Sequence, residues 1–117
     1  MLTLSCSLRV FLALEPCDMR KSFDSLHALI IGQLGEDPRG GAVFGFINRS
    51  RTLIKLVHWD GTGTWIYAKR LEKGTYFWPR PEEGRDGKLR LDPVALAMLT
   101  DGIELKGARM RPWYERE

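Results

Sequence analysis

Between Ala42 and Pro79 the chain switches repeatedly between apolar runs and short polar turns. The runs "AVFGFIN", "TLIKLVHW" and "TWIYAKRL" are rich in β-branched and aromatic residues. "NRSR" and "DGTG" separate them. Alternation with period two, punctuated by turn residues, specifies strands joined as hairpins. Asp60-Gly61 is the strongest of these signals, because the tightest hairpin turns need residues that accept positive φ. We read strands over 42–48, 52–59 and 64–71, a turn at Glu72-Lys73-Gly74, and a short strand "TYFW" over 75–78 closed by Pro79. The outcome is an antiparallel meander.

The flanks supply the remaining elements. "LRVFLALEP" (8–16) alternates and reads as a first strand entering the fold. The longer stretch "MLTLSCSLRVFLALEPC" (1–17) is apolar enough to suggest a signal peptide, but Arg9 interrupts it, no basic cluster precedes it and no small-x-small cleavage site follows. In "DMRKSFDSLHALIIGQLG", Phe23, Leu26, Ile30 and Leu34 fall on one helical stripe. Asp18 or Ser22 would cap that helix over 19–34, and Gly35 would stop it. "LDPVALAMLTDG" reads as a short helix over 93–101, capped by Asp92 with Pro93 at its first position. The segment 79–90 lacks periodicity and reads as a mobile loop, and 105–117 as a tail whose structure the pattern does not specify. The expectation is one α+β domain over 1–117: a mostly antiparallel β-meander packed with one main helix and a short C-terminal one.

Chemistry is thin. A hydrolase nucleophile needs a partnered base. The only histidines, His27 and His58, sit beside an apolar stripe and within an apolar strand, where packing roles are the ordinary use. "DGTG" lies between strands, so no helix N-terminus faces it to hold a phosphate. Asp18, Asp24, Asp60 and Asp92 are scattered through caps and turns, where Asp makes local hydrogen bonds. Two cysteines, Cys6 and Cys17, without a Cys-x-x-Cys, do not make a structural zinc site. They read as reduced thiols of a cytoplasmic protein. No apolar run is long enough to cross a bilayer. We expect no enzyme, no cofactor, no metal and no membrane partner.

Charge is more informative. The net charge is +3, and the surplus sits in the middle of the chain. Arg49, Arg51, Lys55, Lys69, Arg70 and Lys73 face only Asp60 and Glu72 within 49–73. A clustered surplus is the footprint of a polyanion binder, and equally that of a solvated face. On strand 64–71, Trp65, Tyr67 and Lys69 point one way and Ile66, Ala68 and Arg70 the other. Aromatics beside a cation suit unstacked bases and phosphates. They also suit a protein interface or a plain core. Arg20 and Lys21 fall in or just before the first turn of the main helix, where the macrodipole disfavours cations by a few tenths to about 1 kcal/mol. A bound phosphate would relieve that cost; a helix starting at Ser22 would leave both in the preceding loop.

The stretches "EPCDMRKSFDSLHALI" (15–30), "VFGFINRSRTLIKLVHWDGTGTWIYAKRLEKGTYFWP" (43–79) and, more loosely, "LDPVALAMLTDGIE" (91–104) together cover most of the chain. In that order they resemble the TnpB-type accessory protein, the second open reading frame, of the insertion sequence 66 family of bacterial transposable elements. The resemblance implies a non-catalytic role in transposition beside a larger, separate transposase. On the basic positions we expect DNA contacts, with the element ends as the candidate target, from Arg20, Lys21, Arg49, Arg51, Lys55, Lys69, Arg70 and Lys73. The alternative is an adaptor that docks on the transposase or other element-encoded proteins through Trp65, Tyr67, Trp78 and Trp113 without reading DNA.

Overall fold

The computed structural model describes residues 8–20, 22–103 and 114–115. Its elements are β1 (Val10–Ala13), α1 (Phe23–Gly32), β2 (Val43–Ile47), β3 (Leu53–Trp59), β4 (Thr64–Arg70), a single 3-10 turn at Pro81–Glu83, β5 (Lys88–Leu91), α2 (Pro93–Thr100) and β6 (Tyr114–Glu115). The strands form one sheet in the order β4-β3-β2-β1-β5-β6.

The meander is β2-β3-β4, antiparallel throughout. Its central strand β3 buries Ile54 and Leu56 on one face and Val57 on the other. β1 adds to β2 in parallel, with α1 making the crossover. The sheet is therefore mixed. β5 closes antiparallel onto the other side of β1, so the first strand in the sequence lies in the interior of the sheet. β1 and β2 are buried along their whole length, as strands covered on both faces must be.

Each face carries its own apolar layer. Phe11, Ala13, Phe44, Phe46 and Val57 meet Leu26, Ile30 and Leu34 of α1 and its C-terminal extension. Val10, Leu12, Val43, Ile47, Ile54 and Leu56 meet Ala95, Leu96 and Leu99 of α2 together with Tyr76 and Trp78. Gly45 is what lets the second layer close. A Cβ there would stand 2.7 Å from Leu12 Cδ2 and 3.6 Å from the Trp78 ring.

Three sequence expectations are corrected. "TYFW" does not join the sheet: the residues following Gly74 alternate in burial as a strand would, yet they cross the α2 face and plug it with Tyr76 and Trp78. Pro79 and Pro81 lack the N–H groups a ladder needs. The segment read as a loop over 79–90 runs into β5, whose Leu89 and Leu91 are buried against β1. Four residues of alternation inside a charged stretch are too few for the period to stand out. α1 begins at Phe23 behind Ser22, not at residue 19. Asp18 does not cap it; its carboxylate instead accepts from Arg20. α2 matches the reading, with Asp92 Oδ1 accepting from Val94 N at 2.7 Å.

Candidate nucleic-acid interface

The β2–β3 turn is built by one asparagine. Asn48 Oδ1 accepts from Thr52 N at 2.8 Å and Leu53 N at 3.0 Å, while its Nδ2 donates to Ser50 Oγ and Thr52 Oγ1. This holds Arg49 and Arg51 out in solvent at the tip. Two backbone bonds tie the following chain to the same turn: Leu71 N donates to Thr52 O at 2.9 Å and Tyr76 N to Arg51 O at 2.7 Å. Arg70, opposite Leu53, and Lys73, in the next turn, therefore come to the same end of the sheet. Cys17 N donates to Ile47 O at 2.9 Å, which brings the 17–20 segment there as well.

The described basic candidates lie toward one end of the sheet, but they differ in what holds them. Arg20 is bound by Asp18 through its backbone and guanidinium, at 2.8 Å for the shortest contact. The pairing raises its pKa above the ordinary arginine value, chiefly through the hydrogen bond and then through the charge of Asp18. Arg20 precedes α1, so it does not mark a phosphate site in the first helical turn. Lys55 Nζ donates to Met19 O at 2.6 Å. Lys69 Nζ donates to Thr100 O at 2.8 Å and lies 3.6 Å from Asp101, at the C-terminal end of α2 where a cation is favoured. Arg49, Arg51, Arg70 and Lys73 are exposed, and their side chains make no hydrogen bond or ion pair with another described residue. Lys21 lies outside the described residues.

The aromatic candidates divide differently. Trp65 is half exposed, at 52%. It stacks on Tyr67 with ring centroids 5.8 Å apart and planes at 16°. Its Nε1 donates to Asp60 Oδ2 at 2.7 Å. Asp60 Oδ1 accepts from Thr62 N, Thr62 Oγ1 and Gly63 N. These bonds, the one from the Thr62 backbone first, hold the Asp60 carboxyl well below the usual carboxylate range. The carboxylate that opens "DGTG" thus builds a turn. Trp78 is corrected: it is 5% exposed, and its Nε1 donates to Ala13 O at 2.9 Å inside the core. Trp113 lies outside the described residues.

Sequence reasoning missed two cations that the fold places among aromatics. Lys88 Nζ sits 5.4 Å from the Phe11 ring and donates to Leu34 O and to Glu36. The Arg39 guanidinium lies 5.4 Å over the Trp59 ring, beside a shallow groove lined by His27, Ile31 and Pro38. Both rest on contacts between distant segments, and no local motif announces them. His27 Nε2 is bonded to Thr64 Oγ1 at 3.1 Å, which ties α1 to β4. No helix among the described residues is long and apolar enough to cross a membrane.

A family model described as "IS66 Orf2 like protein" matches residues 8–110. The chain belongs to this family. Two proteins of Sinorhizobium fredii (strain NBRC 101917 / NGR234), both described as uncharacterized, are similar over nearly the whole length. One, y4hO, is 35% identical over 98 residues, spanning 84% of this chain and 83% of the relative. The other, y4jC, is 30% identical over 108 residues, spanning 92% and 90%. No solved structure matches the chain. Membership in the IS66 Orf2-like family places the protein in the context of an insertion sequence, as a transposition-associated accessory protein.

Proposed function

We propose that this IS66 Orf2-like protein is a non-catalytic accessory factor of transposition that binds DNA through the basic end of its meander and assists the separate transposase. The observation that carries the reading is the gathering of Arg49, Arg51, Arg70 and Lys73 at one end of the sheet, with no described acidic partner. Free guanidinium and ammonium groups on a rigid turn neutralise phosphates without first breaking an internal bond. Arg20 and Lys69 are offset by their ion pairs with Asp18 and Asp101, so they add little net charge there. The expected binding is electrostatic, with log K falling against log salt by about 0.9 per phosphate neutralised.

A second reading has its own support. The stacked Trp65–Tyr67 pair lies toward the other end of β4 from the basic turn. An aromatic fixed in one orientation loses little entropy on docking, which suits a contact with the transposase. Fluorescence anisotropy of the purified chain on labelled element-end DNA and on scrambled DNA, at two salt concentrations, separates the readings. Salt-dependent binding supports the DNA reading, and preference for the ends makes the protein a recognition subunit. An absence of binding at low salt overturns it in favour of the adaptor.

A further inference from the structure

β4 ends the sheet, and among the described residues no element lies beyond it. It is also the most exposed strand whose side chains are described, with Trp65, Ala68, Lys69 and Arg70 all on the surface. Its ladder with β3 runs without a bulge from Thr64↔Trp59 to Arg70↔Leu53.

The bonding phase of that ladder is fixed at both ends. Leu71 N donates to Thr52 O, and Asp60 N to Gly63 O. In an antiparallel pair, bonded and non-bonded positions alternate. Trp65, Tyr67 and Lys69, in phase with Gly63 and Leu71, therefore aim their backbone groups at β3. Thr64, Ile66, Ala68 and Arg70 aim theirs outward, where no described strand receives them. Proteins ordinarily blunt such an edge with a bulge, a proline or a lysine. β4 has no bulge and no proline. Its lysine stays on the surface but is tethered, since Lys69 Nζ is held by Thr100 O.

We propose that the open edge of β4 pairs antiparallel with β4 of a second copy of this chain, about a two-fold axis at Tyr67. This register uses the whole strand. Ile66 and Ala68 of one copy exchange bonds with Ala68 and Ile66 of the other, and Thr64 and Arg70 do the same. The non-bonded positions then set Tyr67 against Tyr67 and Trp65 against the methylenes of Lys69. Like charges never face each other, whereas a shift that brought Lys69 or Arg70 to the axis would oppose two cations. The self-complementarity of the sequence about Tyr67 commits the edge to a second copy, with the closed symmetry usual for homodimers. The pairing brings the exposed Trp65 and the partly buried Tyr67 against the second copy.

The experiment follows the mass of the full chain by light scattering from low to high micromolar concentration, with two variants. Ala68→Pro removes an outward N–H and leaves the β3 ladder intact. Tyr67→Cys, in a background with Cys6→Ser and Cys17→Ser, tests the register. Directly opposed non-bonded residues have Cα atoms about 4.5 Å apart, within the range a disulfide spans. A dimer of the unaltered chain, at least about tenfold weaker in Ala68→Pro and covalently trapped by Tyr67→Cys under copper–phenanthroline oxidation, is the expected result. Trp65→Cys in the same background stays uncrosslinked. If Ala68→Pro fails to fold, crosslinking alone decides. A chain that is monomeric at every concentration overturns the proposal and leaves the edge to a strand of another protein. A dimer that Tyr67→Cys does not trap overturns it equally.

Discussion

The indole N–H of Trp65 donates to the carboxylate of Asp60 at 2.7 Å, so the residue that opens the β3–β4 turn also fixes the aromatic that leaves it. The bond is charge-assisted and shares its acceptor group with three donors from Thr62 and Gly63.

Asp60 therefore makes stability depend on acid. Its folded pKa lies below the ordinary aspartate value of about 3.9. The folded state favours the ionised form, so this contribution is fully present above that value. It fades as pH falls toward the folded pKa. Asp60→Asn should lower stability at neutral pH and flatten its slope below about pH 4. Urea midpoints across that range check it; an unchanged slope would show that the bonds do not act on the carboxylate.

Gly84 is the least replaceable glycine described. A Cβ there would lie 2.4 Å from Lys88 O and 2.6 Å from Leu14 Cδ1, and a backbone carbonyl in the β5 hairpin has little room to yield. Gly84→Ala should cost about 1–3 kcal/mol, read as a lower denaturation midpoint. Gly32→Ala should act in the opposite sense. Nothing lies within 4 Å of the added methyl, and the last turn of α1 should gain about 0.5–1 kcal/mol.

Trp78 and Trp65 should separate cleanly. Trp78→Phe keeps most of the ring and leaves Ala13 O without its donor, costing about 1–3 kcal/mol. Trp65→Phe should change stability far less, since the ring is half exposed. Thermal melts of the two variants decide between a core tryptophan and a surface one at each position.

On DNA, the free cations should outweigh the tethered ones. Arg49→Ala, Arg51→Ala and Arg70→Ala should each reduce the magnitude of the salt slope by about one unit. Lys69→Ala should change it less, because that ammonium already serves α2. Equal effects at Lys69 and Arg49 would show that the anion competes successfully with Thr100.

The meander was legible because short β-branched and aromatic runs are punctuated by turn residues, and because Asp60-Gly61 marks a turn chemically. α2 was legible from Asp92-Pro93, a cap and a first-turn residue in sequence. β5 and the segment around Tyr76 were not. A strand of four residues carries little period, and an extended segment that plugs a face looks locally like one that joins a ladder. The parallel β1–β2 pair was hidden for a related reason: nothing local says which edge a strand will choose. The basic cluster could be counted along 49–73, but the tethering of Lys55 and Lys69 could not, since their acceptors belong to Met19 and Thr100.

The interior position of β1 has a consequence for the order of events during synthesis. The strand that leaves the ribosome early is flanked by β2 on one side and β5 on the other, and the β5 partner of Val10 is Leu91. Until that late segment emerges, β1 has one side unpaired and Leu12 lacks its neighbour Leu89. Closure of so long a loop comes before its contacts reward it, which slows folding. β1 therefore cannot complete its pairing until β5 has been made.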